Sequence, residues 1–82
     1  MKVDKNDYIL FKDSFGIAHV GVVTSNEYYP ESGRTEIGTM VLKSIDKSNL
    51  NTATIDYSNI EMKFDRKPNL DTLEEDYPEI WI

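Results

Sequence analysis

Residues 52 to 64 alternate apolar and polar side chains twice over. Ala53, Ile55 and Tyr57 stand against Thr52, Thr54 and Asp56, then Ile60, Met62 and Phe64 against Glu61 and Lys63. A period of two is the mark of a strand with one buried and one wetted face. Only Ser58 and Asn59 separate the two runs. That pair admits a tight hairpin or a single 3₁₀ turn, and Asn59 lacks the following Gly that a two-residue hairpin loop favours.

The same grammar runs upstream. Tyr8-Ile9-Leu10-Phe11-Lys12 is an apolar run of strand length, rich in aromatic and branched residues. Asp13-Ser14-Phe15-Gly16 follows, with Asp at the first turn position and Gly where a left-handed residue is wanted, the chemistry of a type I turn with a bulge. Ile17 to Ser25 carries Val20, Val22, Val23 and Thr24, which favour strand. Gly21, in its middle, permits a sharp bend or bulge. Asn26 to Gly33 reads as a polar loop and Thr35 to Ser44 as a third strand. Asp46-Lys47-Ser48-Asn49 reads as a turn. The fold class expected is therefore mainly β, with five short strands.

Beyond Asp65–Pro68 the pattern changes. Residues 69 to 82 hold five carboxylates (Asp71, Glu74, Glu75, Asp76, Glu79) and no basic side chain, whereas residues 1 to 68 carry nine basic and ten acidic groups. The net charge of -6 is thus almost wholly a property of the C-terminus. Asp71-Thr72-Leu73-Glu74 has the spacing of a capping box, which predicts one or two helical turns closed before Pro78. A purely solvating acidic tail is poor in large apolar residues. Tyr77, Ile80, Trp81 and Ile82 therefore need a surface: the body of the protein, a partner, or a second copy of the chain joined through this terminus. Ile80 to Ile82 are expected to pair as a short edge strand or to dock.

Eighty-two residues make one core, since a chain of this size buries only about two thirds of its unfolded surface. Residues 1–68 form the expected β domain and 69–82 its acidic extension. With no cysteine, neither disulfides nor thiolate metal sites are available, which fits a reducing cytoplasm. The charged first residues do not resemble a secretory segment, and no apolar run is long enough to cross a bilayer. Asn, Lys, Ile, Asp and Tyr fill 34 positions, a bias typical of AT-rich genomes that points to a bacterial or phage source. The acidic balance argues against a sequence-independent grip on nucleic acid.

Five short strands, a hairpin after the first, a long bent second strand and a brief turn before the fifth resemble a small SH3-like barrel. Asn6-Asp7-Tyr8-Ile9-Leu10-Phe11-Lys12 looks like the first strand of Tudor- or KOW-type modules. Ile17-Ala18-His19-Val20-Gly21-Val22-Val23 is similar to their second strand, bending at a small residue. The resemblance covers residues 6 to 64 and excludes the acidic extension. It implies a binding module whose inter-strand loops hold ligand-contacting aromatics, but no particular activity.

Candidate contact residues follow. Phe15 falls at a turn tip, and Tyr28 and Tyr29 fall in a Pro-containing loop. Such aromatics bury much area at low entropic cost. They either contact a partner or, for the tyrosines, fold back over the barrel mouth. A nine- or ten-residue strand spans about 30 Å, so only a strong bend at Gly21 would bring Phe15 and Tyr28 onto one surface. Glu74, Glu75 and Asp76 suit a basic protein surface, and Trp81 would anchor the terminus. These carboxylates lack the alternating Asp/Asn spacing and Gly of a calcium loop, so no metal or other cofactor is expected. His19, the only histidine, is expected to be a structural or surface residue. No phosphate-cradling Gly loop, nucleophile elbow or His-x-x-x-His pair is present.

The leading expectation is a non-enzymatic protein-binding module, an accessory or regulatory protein. The alternative is a KOW-like nucleic-acid-associated module, which needs Lys12, Arg34, Lys43, Lys63, Arg66 and Lys67 gathered on one face. A small hydrolase or metal enzyme built around His19 is the third reading.

Overall fold

The computed structural model describes residues 2–47 and 49–81. Five antiparallel strands form one open sheet: β1 (Tyr8–Lys12), β2 (Ala18–Tyr29), β3 (Arg34–Ser44), β4 (Thr52–Ile55) and β5 (Ile60–Phe64). Their order is β4-β3-β2-β1-β5. Successive strands from β1 to β4 pair with one another, and β5 returns to pair with β1 (Tyr8 opposite Phe64, Leu10 opposite Met62). Two four-residue helices follow, α1 (Leu73–Asp76) and α2 (Pro78–Trp81).

The local chemistry explains the turns. Gly16 closes the β1–β2 turn at φ 79°, donating its N–H to Asp13 O at 3.0 Å; a left-handed residue there costs Gly nothing. At Gly21 the β2–β3 register shifts, and an added Cβ would come within 3.0 Å of Met40 O. The register shift of a bulge is present at this position, and a side chain there would crowd the β3 backbone.

The connection between β4 and β5 shapes the whole sheet. Asp56 to Asn59 join strands at its two opposite edges. Ile55 lies level with Ile37 and Asn26, whereas Ile60 lies level with Phe11 and His19. In a flat sheet, four strand spacings and the rise along β2 from His19 to Asn26 would separate those ends by about 30 Å. Five Cα steps reach at most about 18 Å. The sheet must therefore coil on itself, with Tyr57–Asn59 as a 3₁₀ turn across the overlap. Side chains seal it: Asn26 Nδ2 donates to Val3 O (2.7 Å) and Tyr57 Oη (3.0 Å), and Asn59 Nδ2 donates to Lys12 O (3.0 Å).

Coiling gives two apolar clusters, one per face. Ile9, Phe11, Val23, Ile37 and Ile55 enclose Val3 on the inner face. Leu10, Ala18, Val20 and Phe64 form the outer cluster with Leu73. The run Ile9-Leu10-Phe11 is fully buried because both faces of β1 are covered.

The cover of the outer face is the acidic segment. Leu70, Leu73 and Tyr77 pack there, spaced three and four residues apart as an apolar stripe of a helical turn would be. The Tyr77 ring meets Phe64 edge-on at 5.3 Å. Lys43 Nζ donates to Leu70 O at 2.6 Å and pairs with Glu74 at 3.3 Å.

Several expectations are corrected. The first half of the polar loop expected over 26–33 is strand, since β2 continues to Tyr29 and the turn is confined to residues 30–33. Asn26 is no breaker there because its amide is consumed by Val3 and Tyr57. The capping box at Asp71 does not form; Thr72 is the N-cap, and the Asp71 N–H is taken by Asn69 Oδ1. Helix α1 does stop before Pro78, which opens α2, a position where its missing N–H is harmless. Of the two alternatives for Ile80 to Ile82, an edge strand is absent at Ile80 and Trp81, which are helical. Ser48, Ile82 and the side chains of Ile80 and Trp81 lie outside the described residues.

Leu73→Ala should destabilise the protein by about 2–5 kcal/mol, a large share of the ~4–12 kcal/mol available to a domain of this size. Urea unfolding followed by far-UV circular dichroism measures this. The exposed Leu50 replaced by Ala should change stability by less than about 0.5 kcal/mol. Equal effects would show that the acidic segment does not hold the outer face.

Candidate functional site

Strands β2 and β3 outlast their neighbours. β1 pairs with β2 only over Ala18–Val22, and β4 with β3 only over Ile37–Met40. The β2–β3 ladder continues to Tyr29 and Arg34, so residues 27–36 form a two-stranded ribbon with no strand on either side among the described residues. The tip is closed by the Gly33 N–H to Tyr29 O (2.9 Å), with Gly33 at φ 69°.

Alternation sorts the ribbon's side chains onto two faces. Tyr28 and Thr35 are paired on one, in line with Asn26 and Ile37. Glu27 and Glu36 are directly opposed on the other, beside the Tyr29–Arg34 pair. Tyr29 Oη donates to Glu27 Oε2 at 2.8 Å. That hydrogen bond, then the charges of Glu27 and Glu36, push the phenol above its ordinary value. Tyr28 is 62% and Tyr29 42% exposed, so neither folds back over the core.

A second constellation lies at the other end of β2. His19 sits opposite Ser44 in the ladder, its Nδ1 2.6 Å from Ser44 Oγ and its Nε2 2.8 Å from Asp13 Oδ2. Asp13 Oδ1 accepts the N–H groups of Phe15 (2.8 Å) and Ile17 (3.0 Å). Burial acts to raise the Asp13 pKa, but the hydrogen bond from His19, those two N–H groups and the imidazole charge outweigh it and hold the carboxyl below its ordinary value. A Ser–His–Asp chain is the order used to activate a nucleophile. Here His19 is 1% and Ser44 6% exposed, so the hydroxyl is sealed away and the geometry ties the β1–β2 turn to the end of β3.

The expected contact residues do not form one surface. Tyr28 and Tyr29 share the ribbon. Phe15, 88% exposed, stands on the turn that precedes β2, at the strand's other end. Glu74 engages Lys43, Glu75 is exposed, and Asp76 accepts a hydrogen bond from Thr72 Oγ1 at 2.7 Å. The Trp81 side chain lies outside the described residues. Glu27 was not legible as a site residue while 26–33 read as a loop, and Glu36, read as strand, had no visible partner; the lack of any turn former between Asn26 and Pro30 was the available signal. Of the six cations named above, Lys12 pairs with Glu61 (3.7 Å), Lys43 with Glu74 and Lys63 with Asp7 (3.3 Å). Arg34 stands at the ribbon tip, while Arg66 and Lys67 line a hollow of about 460 Å³ beside Tyr77.

Among the described residues no group of His, Asp and Glu side chains is arranged to hold a metal ion. No described helix is long and apolar enough to cross a membrane. Comparison with protein-family models, with curated proteins and with solved structures gives no match.

The depressed Asp13 pKa sets a sign for pH dependence. Stability contributed by the carboxylate is present above its ordinary pKa of 3.8 and is lost as pH falls through the lower folded-state value. Asp13→Asn should therefore be less stable than the parent by roughly 1–3 kcal/mol near neutrality, and the gap should narrow in strong acid. Urea titrations of both proteins across that range check it; a gap independent of pH would remove the carboxylate's charge from the account.

Proposed function

We propose that this chain is a non-enzymatic protein-binding module on an SH3-like barrel, a small cytoplasmic accessory or regulatory protein of bacterial or phage type. The fold assignment is supported by a coiled five-stranded meander whose last strand returns to the first, after a 3₁₀ turn at Tyr57–Asn59. A single observation carries the binding assignment: Tyr28 and Tyr29 stand exposed on a ribbon that no neighbouring strand covers. Exposed tyrosines on a backbone ladder present area with little rotamer entropy left to lose. Phe15 and the Glu75–Asp76 end of α1 serve as secondary contacts on this reading.

Capture from a lysate of the source organism, quantified by mass spectrometry, tests it. The parent chain should retain a specific protein that Tyr28→Ala/Tyr29→Ala loses by roughly tenfold or more, as hot-spot truncation does. Phe15→Ala should change retention less. Undiminished capture of that protein by the double tyrosine variant would move the contact away from the ribbon.

A further inference from the structure

We propose that the Glu27–Tyr29–Glu36 face of the β2–β3 ribbon docks an extended, lysine- or arginine-bearing segment of a partner protein. This rests on the binding-module reading and supplies the chemistry of its partner.

Three features of the ribbon support it. Glu27 and Glu36 occupy directly opposed positions, and like charges facing across a ladder oppose strand pairing. Arg34, the cation on the same face, makes no ion pair among the described residues. An incoming cation would relieve that repulsion. Tyr29 is already oriented, its hydroxyl fixed on Glu27, so its ring is set beside the two carboxylates where a guanidinium or ammonium also meets an aromatic face. Beyond the reach of β1 and β4 the outer backbone edges of the ribbon face no strand, so an extended segment finds main-chain donors and acceptors alongside.

Charge selects the occupant. Glu31 at the turn adds to Glu27 and Glu36, and the chain as a whole carries -6. A second copy would bring the same carboxylates against themselves, and a nucleic acid would bring phosphates. A basic polypeptide is complementary.

The test is an NMR titration of the ¹⁵N-labelled full chain at low and physiological salt. The probe is a short synthetic peptide alternating Lys and Thr; its Glu-for-Lys counterpart is the control. Amide shifts should centre on Ser25–Tyr29 and Arg34–Gly38, weaken with salt, and be absent for the acidic peptide. Glu27→Gln/Glu36→Gln should raise Kd about tenfold while leaving thermal unfolding unchanged or slightly improved, since Gln still accepts from Tyr29. Shifts centred on α1, no shifts at all, or equal binding of the acidic peptide would overturn the proposal. So would a concentration-dependent dimer abolished by the same substitutions. The two readings separate in the capture experiment. Loss with the tyrosine variant but full retention by Glu27→Gln/Glu36→Gln leaves the ribbon as the contact and removes the basic partner, whereas retention by the tyrosine variant moves the contact off the ribbon altogether.

Discussion

The link from Ile55 to Ile60 governs this molecule. It joins opposite edges of a five-stranded sheet, at levels far apart along the strands, with four intervening residues. No flat or gently twisted arrangement satisfies that length, so the strands wrap until the edges approach. The wrap encloses Val3, Phe11 and Ile37, and it brings Tyr57 to Asn26 across residues remote in sequence. The inner core is a consequence of connection length as much as of hydrophobicity.

Wrapping also decides what is left outside. Once β1 and β4 have turned away with the coil, β2 and β3 run on together without lateral support. A two-stranded ribbon in water is marginal by itself. Here its root is fixed by Asn26, which bonds Val3 and Tyr57 where the ribbon leaves the body. The result is an ordered arm with exposed aromatic and acidic side chains, suited to recognition because its backbone is already extended. At the other end of β2, the Asp13–His19–Ser44 chain fixes the Phe15 turn by buried polar contacts. In a molecule without cysteine, such side-chain ties replace covalent ones.

The outer face needed a lid, and the acidic segment supplies it. Its carboxylates point to water while Leu70, Leu73 and Tyr77 point inward, and Lys43 bridges lid and sheet. Of the residues expected to need a surface, Tyr77 finds it against Phe64, whereas Leu70 and Leu73 were not among those named. Leu73, with no exposed surface, is the anchor, and the spacing of Leu70, Leu73 and Tyr77 was its only trace.

Alternation in the sequence determined the strands over 52–64, the apolar run over 8–12 determined β1, and Asp13 with Gly16 determined the first turn. These signals are local, because they arise from pleat geometry and backbone sterics within a few residues. The same locality misled at Asn26–Tyr29, where polar residues look like loop until the partners of Asn26 are known. Which strands neighbour one another, how far β2 outruns β1, where His19 finds Asp13 and Ser44, and which face receives the acidic segment were decided only by tertiary structure. Each depends on groups distant in sequence meeting across a coiled sheet, and no local pattern encodes those distances.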